Sequence, residues 1–247
     1  MKPLLEVKDL TGGYSSNRPV LHGISFHVRE SEIVGFVGLN GAGKSTTIKH
    51  ILGLLEPASG TIAINGLTLI EAPDRYRSQF AYIPETPELY DELTLWEHLK
   101  VTAMAYNIDE KTFQTRAERL LKEFRMEKMK HWFPNEFSKG MKQKVMIMCA
   151  LLVEPKLYIV DEPFVGLDPL AIQSFLNWMV ACKKQGAGVL MSTHILATAE
   201  KVCDRVIIIH EGKIVMQGAL DELREQAGMP AASLDEIYVK VAEGAFS

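Results

Sequence analysis

The sequence predicts an α/β fold, with a parallel sheet flanked by helices, a small antiparallel β subdomain and an inserted α-helical subdomain. Three observations predict it. From residue 138 onward, apolar strand-like runs alternate with helical patterns, the order that builds parallel sheets. Before residue 33 two short apolar runs follow one another with only turn residues between them, as in an antiparallel pair. From about Pro87 to Phe137 the chain turns to helix formers with interleaved charges. The 247 residues, 47 % apolar and 23 % charged, are enough for a sizeable core with an ordinary surface.

Taken in order, Leu4–Leu10 and Leu21–Val28 are the first strands, separated by the turn-rich GGYSSNRP. The apolar run Ile33–Val37 is a third strand, and Thr46–Leu55 follows with helical spacing. Pro57-Ala58-Ser59-Gly60 turns into the strand Thr61–Ile64, which Asn65-Gly66 ends, and Phe80–Ile83 is a further strand stopped by Pro84. Within the insertion, Thr94-Leu95-Trp96-Glu97 is a capping box opening a helix over Leu95–Tyr106, and helix formers run through Glu110–Lys130. The alternation then resumes with helix Ser138–Leu152, strand Leu157–Val160, helix Leu170–Gln185, strand Gly188–Ser192, helix Ile195–Cys203 and strand Arg205–His210. Lys213–Gln217 adds a last strand. These elements place one domain over residues 1–218, its helical subdomain at about 87–137, with a short helical extension over 219–247.

Composition narrows the function. With 27 basic against 31 acidic residues the net charge is −4, so no basic footprint invites nucleic acid. The longest apolar run, Val145–Val153, is half a membrane span, and the acidic Glu6 and Asp9 stand where a signal peptide needs its apolar core. Cys149, Cys182 and Cys203 form no C-x-x-C pair, which points to buried thiols in a reducing, cytosolic compartment.

Two motifs carry phosphate chemistry. Residues 38–46 read GLNGAGKST, and Gly38, Gly43, Lys44 and Ser45 fit G-x-x-x-x-G-K-[ST] between a strand and a helix. Backbone N–H groups of Asn40, Gly41, Ala42, Gly43 and Thr46 then cradle phosphate, Lys44 reaches the β- and γ-phosphates, and the Ser45 hydroxyl ligates Mg²⁺. The ligand is therefore a nucleoside triphosphate. Downstream, LYIVD followed by Glu162 delivers Asp161 and Glu162 to the carboxyl edge of the sheet. There Asp161 holds the Mg²⁺ shell and Glu162 acts as general base on water.

Phe137-Ser138-Lys139-Gly140-Met141-Lys142-Gln143, placed ahead of LYIVDEP, resembles the LSGGQ-type signature of ATP-binding-cassette (ABC) ATPases. Gly166-Leu167-Asp168 resembles their D-loop, Ser192-Thr193-His194 their switch histidine and Tyr14 their aromatic adenine-stacking residue. Segments such as YIPETPELYDELT and FSKGMKQKVMIMCALL are most similar to the EcsA type of bacterial transporter ATPase. The resemblance implies an ATPase subunit that uses ATP and Mg²⁺ and dimerises, as a homodimer or a mixed pair, on a separate EcsB-like integral membrane subunit. It further implies a peripheral position on the cytoplasmic face of the membrane and, by leaning, export. By the same resemblance Ser138 and Gly140 reach the γ-phosphate held by the other subunit, Asp168 is the D-loop residue of the nucleotide site, and His194 contacts the γ-phosphate. The pattern departs at Glu85, where the family has glutamine, which leaves an oxygen ligand for metal but adds charge. Lys139 and Met141 replace a glycine and the glutamine of the signature. The insertion, with Trp96, Met104, Tyr106, Met126, Met129, Trp132 and Phe133, is the expected docking face for the membrane partner. A soluble ABC-type ATPase acting on ribosomes or DNA is the alternative, opposed by the single cassette; a small-molecule P-loop kinase is opposed by the signature.

Overall fold

The strands that reach the nucleotide loop are buried on both faces, and this decides the architecture. In the computed structural model, which describes residues 3–15 and 18–244, β1 (Leu5–Gly12) and β2 (Leu21–Val28) pair antiparallel and precede β3 (Ile33–Val37). There follow α1 (Lys44–Ile51), β4 (Ser59–Ile64), α2 (Pro73–Arg77), β5 (Phe80–Ile83), α3 (Leu95–Ala105) and α4 (Glu110–Glu123). The chain continues through α5 (Lys139–Val153), β6 (Leu157–Asp161), α6 (Pro169–Lys184), β7 (Gly188–Thr193) and α7 (Leu196–Val202). It ends with β8 (Arg205–His210), β9 (Lys213–Gly218), α8 (Leu220–Ala227) and α9 (Leu234–Ala242).

Every residue of β3, β6 and β7 is buried, as parallel strands covered by elements on both faces must be. These three, with β5 and β8, pair in parallel in the order β5-β6-β7-β3-β8, and β9 closes one edge antiparallel to β8. The smaller sheet runs β2-β1-β4. The antiparallel subdomain expected from the first two runs is present, but β4 joins it from beyond the nucleotide loop, pairing Leu5 with Ile64 and Val7 with Ile62.

Strand alternation divides the core. Val34 and Phe36 face the small sheet and α1, packing with Phe26 and Ile48, whereas Ile33 faces the helical insertion and α5. Val206 and Ile208 face a third cluster under α8 and α9, while Ile207 and Ile209 face the small sheet. Burying a side chain the size of Phe36 is worth about 1.5–3 kcal/mol, so each facing set holds its own layer in place.

Local signals set most helix ends. Thr94 Oγ1 accepts from the Glu97 N–H at 3.3 Å and Glu97 Oε2 accepts from the Thr94 N–H at 2.8 Å, closing the expected capping box. Two helices differ from expectation. Gly43, with φ of 114°, turns the chain straight into α1 at Lys44, and Gly53, with φ of 74°, ends that turn before Leu55. Arg125 adopts φ of 57° and breaks the long helical run, so α4 stops at Glu123 and a single 3₁₀ turn covers Glu127–Met129. The short α2, opened by Pro73 at its first turn, was not visible as an element from sequence. In the turn before β2, Ser16 and Asn17 lie outside the described residues, as do 245–247 of the C-terminal extension.

At the free edge of the large sheet, β5 is only four residues long. Its outward Phe80 carbonyl accepts from Tyr106 Oη at 3.0 Å, from the end of α3. No helix among the described residues is long and apolar enough to cross a membrane.

Candidate functional site

The loop between β3 and α1 is the floor of the site. At Gly43 only glycine fits, because of its left-handed φ and because a Cβ would come within 2.8 Å of Leu21 Cδ2. No side chain caps α1, and the N–H groups of its first turn, at Lys44, Ser45 and Thr46, have no intrahelical acceptor. They stand at the positive end of the helix, where an anion is favoured. A cavity of about 500 Å³ opens there, lined by Asn40, Gly41, Gly43, Lys44, Ser45 and Thr46 together with Tyr14, Glu85, Glu162 and His194. Gly38 and Ala42 form the buried side of the loop.

Lys44 is buried, and its Nζ donates to the Gly38 carbonyl at 2.8 Å and the Leu39 carbonyl at 3.3 Å. Glu162 Oε1 lies 3.4 Å from the same ammonium and has no hydrogen-bond partner, although it is buried. Glu162 Oε2 accepts from the His194 N–H at 3.2 Å and from His194 Nδ1 at 2.8 Å. That contact orients a half-exposed ring that lines the cavity. Glu162 itself has φ of 43°, a left-handed conformation that a non-glycine residue holds only at a cost of about 1–3 kcal/mol. Strained backbone at a charged cavity residue marks a place where geometry outranks stability.

Asp161, at the end of β6, lies behind Glu162. Its Oδ1 accepts from Ser192 Oγ, and Ser45 Oγ donates to it at 3.5 Å. Burial pushes the Asp161 carboxyl above its ordinary range, the two serine hydroxyls oppose this, and the neighbouring Glu162 and Glu85 charges reinforce it. A cation would relieve that crowding of negative charge. Among the described residues no three His, Cys, Asp or Glu side chains converge as a protein-only metal cage. One or two carboxylates completed by phosphate and water suit Mg²⁺, so Asp161 and Glu85, with the Ser45 hydroxyl, fit it.

The remaining predicted residues stand elsewhere. Ser138 caps α5 through the Met141 N–H at 3.3 Å, and Asp168 caps α6 through the Ala171 N–H at 2.9 Å. Asp168 Oδ2 also accepts from Lys144 Nζ at 2.8 Å, which holds its carboxyl below the usual range. Gly140 packs on the backbone of Gly166, where a Cβ would sit 2.2 Å from the Gly166 oxygen. Ser138, Gly140 and Asp168 thus lie where the start of α5 meets the Gly166–Asp168 turn, and none of them lines the cavity of their own chain.

Sequence reasoning missed several partners. Ser192 bridges Asp161 and the Glu162 N–H, a contact set by the β6–β7 register, Asp161 opposite Ser192. Gln143 is fully buried, and its Nε2 donates to the Pro84 carbonyl at 2.9 Å, tying α5 to the segment that carries Glu85. Lys49 stands over the exposed Tyr14 ring, 5.0 Å from its centroid, one and a half turns beyond Lys44 on α1. In the insertion Met126 is core, and Trp96 and Met129 pack against it, whereas Met104, Trp132 and Phe133 are exposed.

The family model for ABC transporters matches residues 21–165, more than half of the chain. The ABC-type transporter ATP-binding protein EcsA of Bacillus subtilis (strain 168) is 63 % identical over 96 % of each chain. The SkfA peptide export ATP-binding protein SkfE of the same organism is 36 % identical over 91 % of this chain and 92 % of its own. A solved ATP-binding subunit of an ABC transporter superposes with a TM-score of 0.94 at 58 % identity, covering 97 % of this chain and 99 % of that one.

Proposed function

Since the chain belongs to the ABC transporter family as one of its ATP-binding ATPase subunits, we propose that two such subunits close head to tail over two ATP molecules and drive export through an EcsB-like membrane subunit. Subunits of this family work with membrane permeases. The observation that carries the paired arrangement is that Ser138 and Gly140 stand at a helix N-terminus outside their own chain's ATP cavity. A second cassette, turned to face the first, brings that end to the γ-phosphate. Asp168, fixed to α5 by Lys144, lies at the same seam. The partner is either a second copy of this chain or a related cassette.

Within each site Lys44 and the first-turn N–H groups hold the phosphates, and Tyr14 offers its ring to adenine. Ser45, Asp161 and Glu85 would hold Mg²⁺, which would supply positive charge to offset the negative charge developing on the β- and γ-phosphates. The free Oε1 of Glu162 accepts a proton from the attacking water as its oxygen bonds the γ-phosphorus and the bond to the ADP oxygen breaks. His194, its ring oriented by Glu162 Oε2, faces the γ-phosphate. Export is supported by similarity to SkfE, the ATP-binding protein of SkfA peptide export. The cytoplasmic face, where ATP is supplied, is the position that follows, with the cassette at 1–218 and Met104, Trp132 and Phe133 of the insertion turned toward the membrane subunit.

The test is sedimentation of Glu162→Gln protein with ATP, alone and with Ser138→Arg added. A dimer that forms in the first and is lost in the second, with ATP still bound by the monomer, supports the arrangement; an undiminished dimer refutes it. Pull-down from detergent-extracted membranes is expected to recover an integral membrane protein, and recovery of ribosomes or DNA instead would favour the soluble alternative.

A further inference from the structure

The C-terminal extension, which carries no nucleotide motif, touches the phosphate loop directly. Tyr238, on α9, accepts a hydrogen bond at its Oη from the Leu39 N–H at 2.9 Å, across 199 residues of sequence. Leu39 is the second residue of that loop. Its carbonyl accepts from the Ala42 N–H at 3.1 Å and from Lys44 Nζ at 3.3 Å, while its side chain is exposed and packs on little. The Gly38–Leu39 peptide unit thus joins Tyr238, which accepts from its N–H, to the lysine that faces Glu162, whose Nζ donates to its Gly38 carbonyl at 2.8 Å. The Tyr238 ring is buried among Val37, Ala199 and Leu223, so its hydroxyl is a fixed post rather than a mobile one.

The extension is also stitched to the helix that follows His194. Glu200, on the α7 helix that follows His194, accepts from the Leu234 N–H at 2.9 Å and pairs with Arg224 at 3.5 Å. Arg224 Nε in turn donates to the Ala232 carbonyl at 2.8 Å, closing the α8–α9 connection. A strut therefore spans from the helix behind the switch histidine to the loop that holds the phosphates.

We propose that Tyr238 is a positioning residue for ATP, holding the Leu39 peptide so that the loop stays open to phosphate; this rests on the assignment of residues 38–46 to the ATP phosphates. The contact lies on the loop and not on the nucleotide, and it is the same before and during the reaction. Its loss lowers the fraction of molecules with a binding-ready loop, so apparent affinity falls by that fraction. An interaction that serves ground and transition states alike shows in KM and leaves kcat alone.

The experiment uses the full chain with Tyr238→Phe, which keeps the ring and its packing and removes only the hydroxyl. The Kd for a fluorescent ATP analogue and the KM for ATP are expected to rise together by about three- to tenfold, the range of one hydrogen bond, with kcat unchanged. Amide exchange at Leu39, measured without nucleotide, is expected to speed up. Unchanged Kd and KM overturn the proposal, whatever happens to the melting temperature, and so does unchanged exchange at Leu39. Lys44→Ala is measured alongside. If that variant binds the analogue as wild type does, the loop assignment itself fails, independently of Tyr238.

Discussion

Replacing Glu162 by glutamine isolates what the carboxylate does beyond its shape. In the native site Oε2 accepts from two His194 donors, at 3.2 and 2.8 Å, and Oε1 faces Lys44 Nζ at 3.4 Å without a hydrogen bond. A glutamine keeps its oxygen toward His194, because both groups there are donors. Its NH₂ then takes the Oε1 position, a donor set against the ammonium, with no lone pair for the proton of water. The two losses differ in size. Replacing a charge-assisted contact at His194 by a neutral one costs about 1 kcal/mol of stability. Removing a positioned base costs about 10²–10⁴-fold in turnover, or about 3–5 kcal/mol of barrier. Lys44 retains its contacts to the Gly38 and Leu39 carbonyls, and one negative charge leaves a cavity built for an anion, so ATP affinity is expected to hold or rise. Steady-state phosphate release and equilibrium binding of a fluorescent ATP analogue separate the two quantities. Hydrolysis within tenfold of wild type would refute the base assignment. Loss of binding together with turnover would instead mean that Glu162 is structural.

Three further outcomes are expected. Glu85→Gln retains ATPase activity, whereas Glu85→Ala keeps ATP binding by the isolated chain but weakens stimulation by the membrane subunit; if alanine abolishes binding, Glu85 is a primary metal ligand and does not act in coupling. Gly140→Ala drives a methyl into the Gly166 carbonyl, where a Cβ would stand at 2.2 Å, so turnover is expected to fall at least about tenfold with ATP binding by the monomer intact; wild-type turnover would show that this contact is not needed for closure. Burial pushes the thiols of Cys149 to about 11 and Cys203 to about 12 and raises that of Cys182. Below those values they stay protonated, so at pH 8 the folded protein is expected to react slowly with a disulfide reagent and the unfolded chain rapidly, and one fast thiol in the folded state would contradict this.

Features that depend on neighbours in sequence were legible. The glycines and lysine of residues 38–46, the apolar strands β3, β6 and β7, and the cap at Thr94 each rest on a few adjacent residues, and each stands where the pattern put it. Contacts set by register or by distant packing were not. The pairing of β4 with β1, the hydroxyl of Ser192 on Asp161 and the hydroxyl of Tyr238 at Leu39 join segments that no periodicity relates. Helix limits failed where a single backbone angle decided them, as at Gly43 and Arg125. Side-chain exposure was equally hidden, so Met126 and Met104 look alike in sequence while one is core and the other is surface.

The large sheet ends on β5, and that edge bears on how the subunit survives before assembly. An open strand presents a row of unpaired amide groups that any passing chain can extend, the first step toward fibrous aggregates. Here the strand offers four residues, and the Tyr106 hydroxyl already occupies its outward Phe80 carbonyl. A newly made subunit therefore leaves little template for misassociation while it waits for its partners. Tyr106→Phe, which uncovers that carbonyl without altering the ATP cavity, targets shelf life and expression yield rather than catalysis.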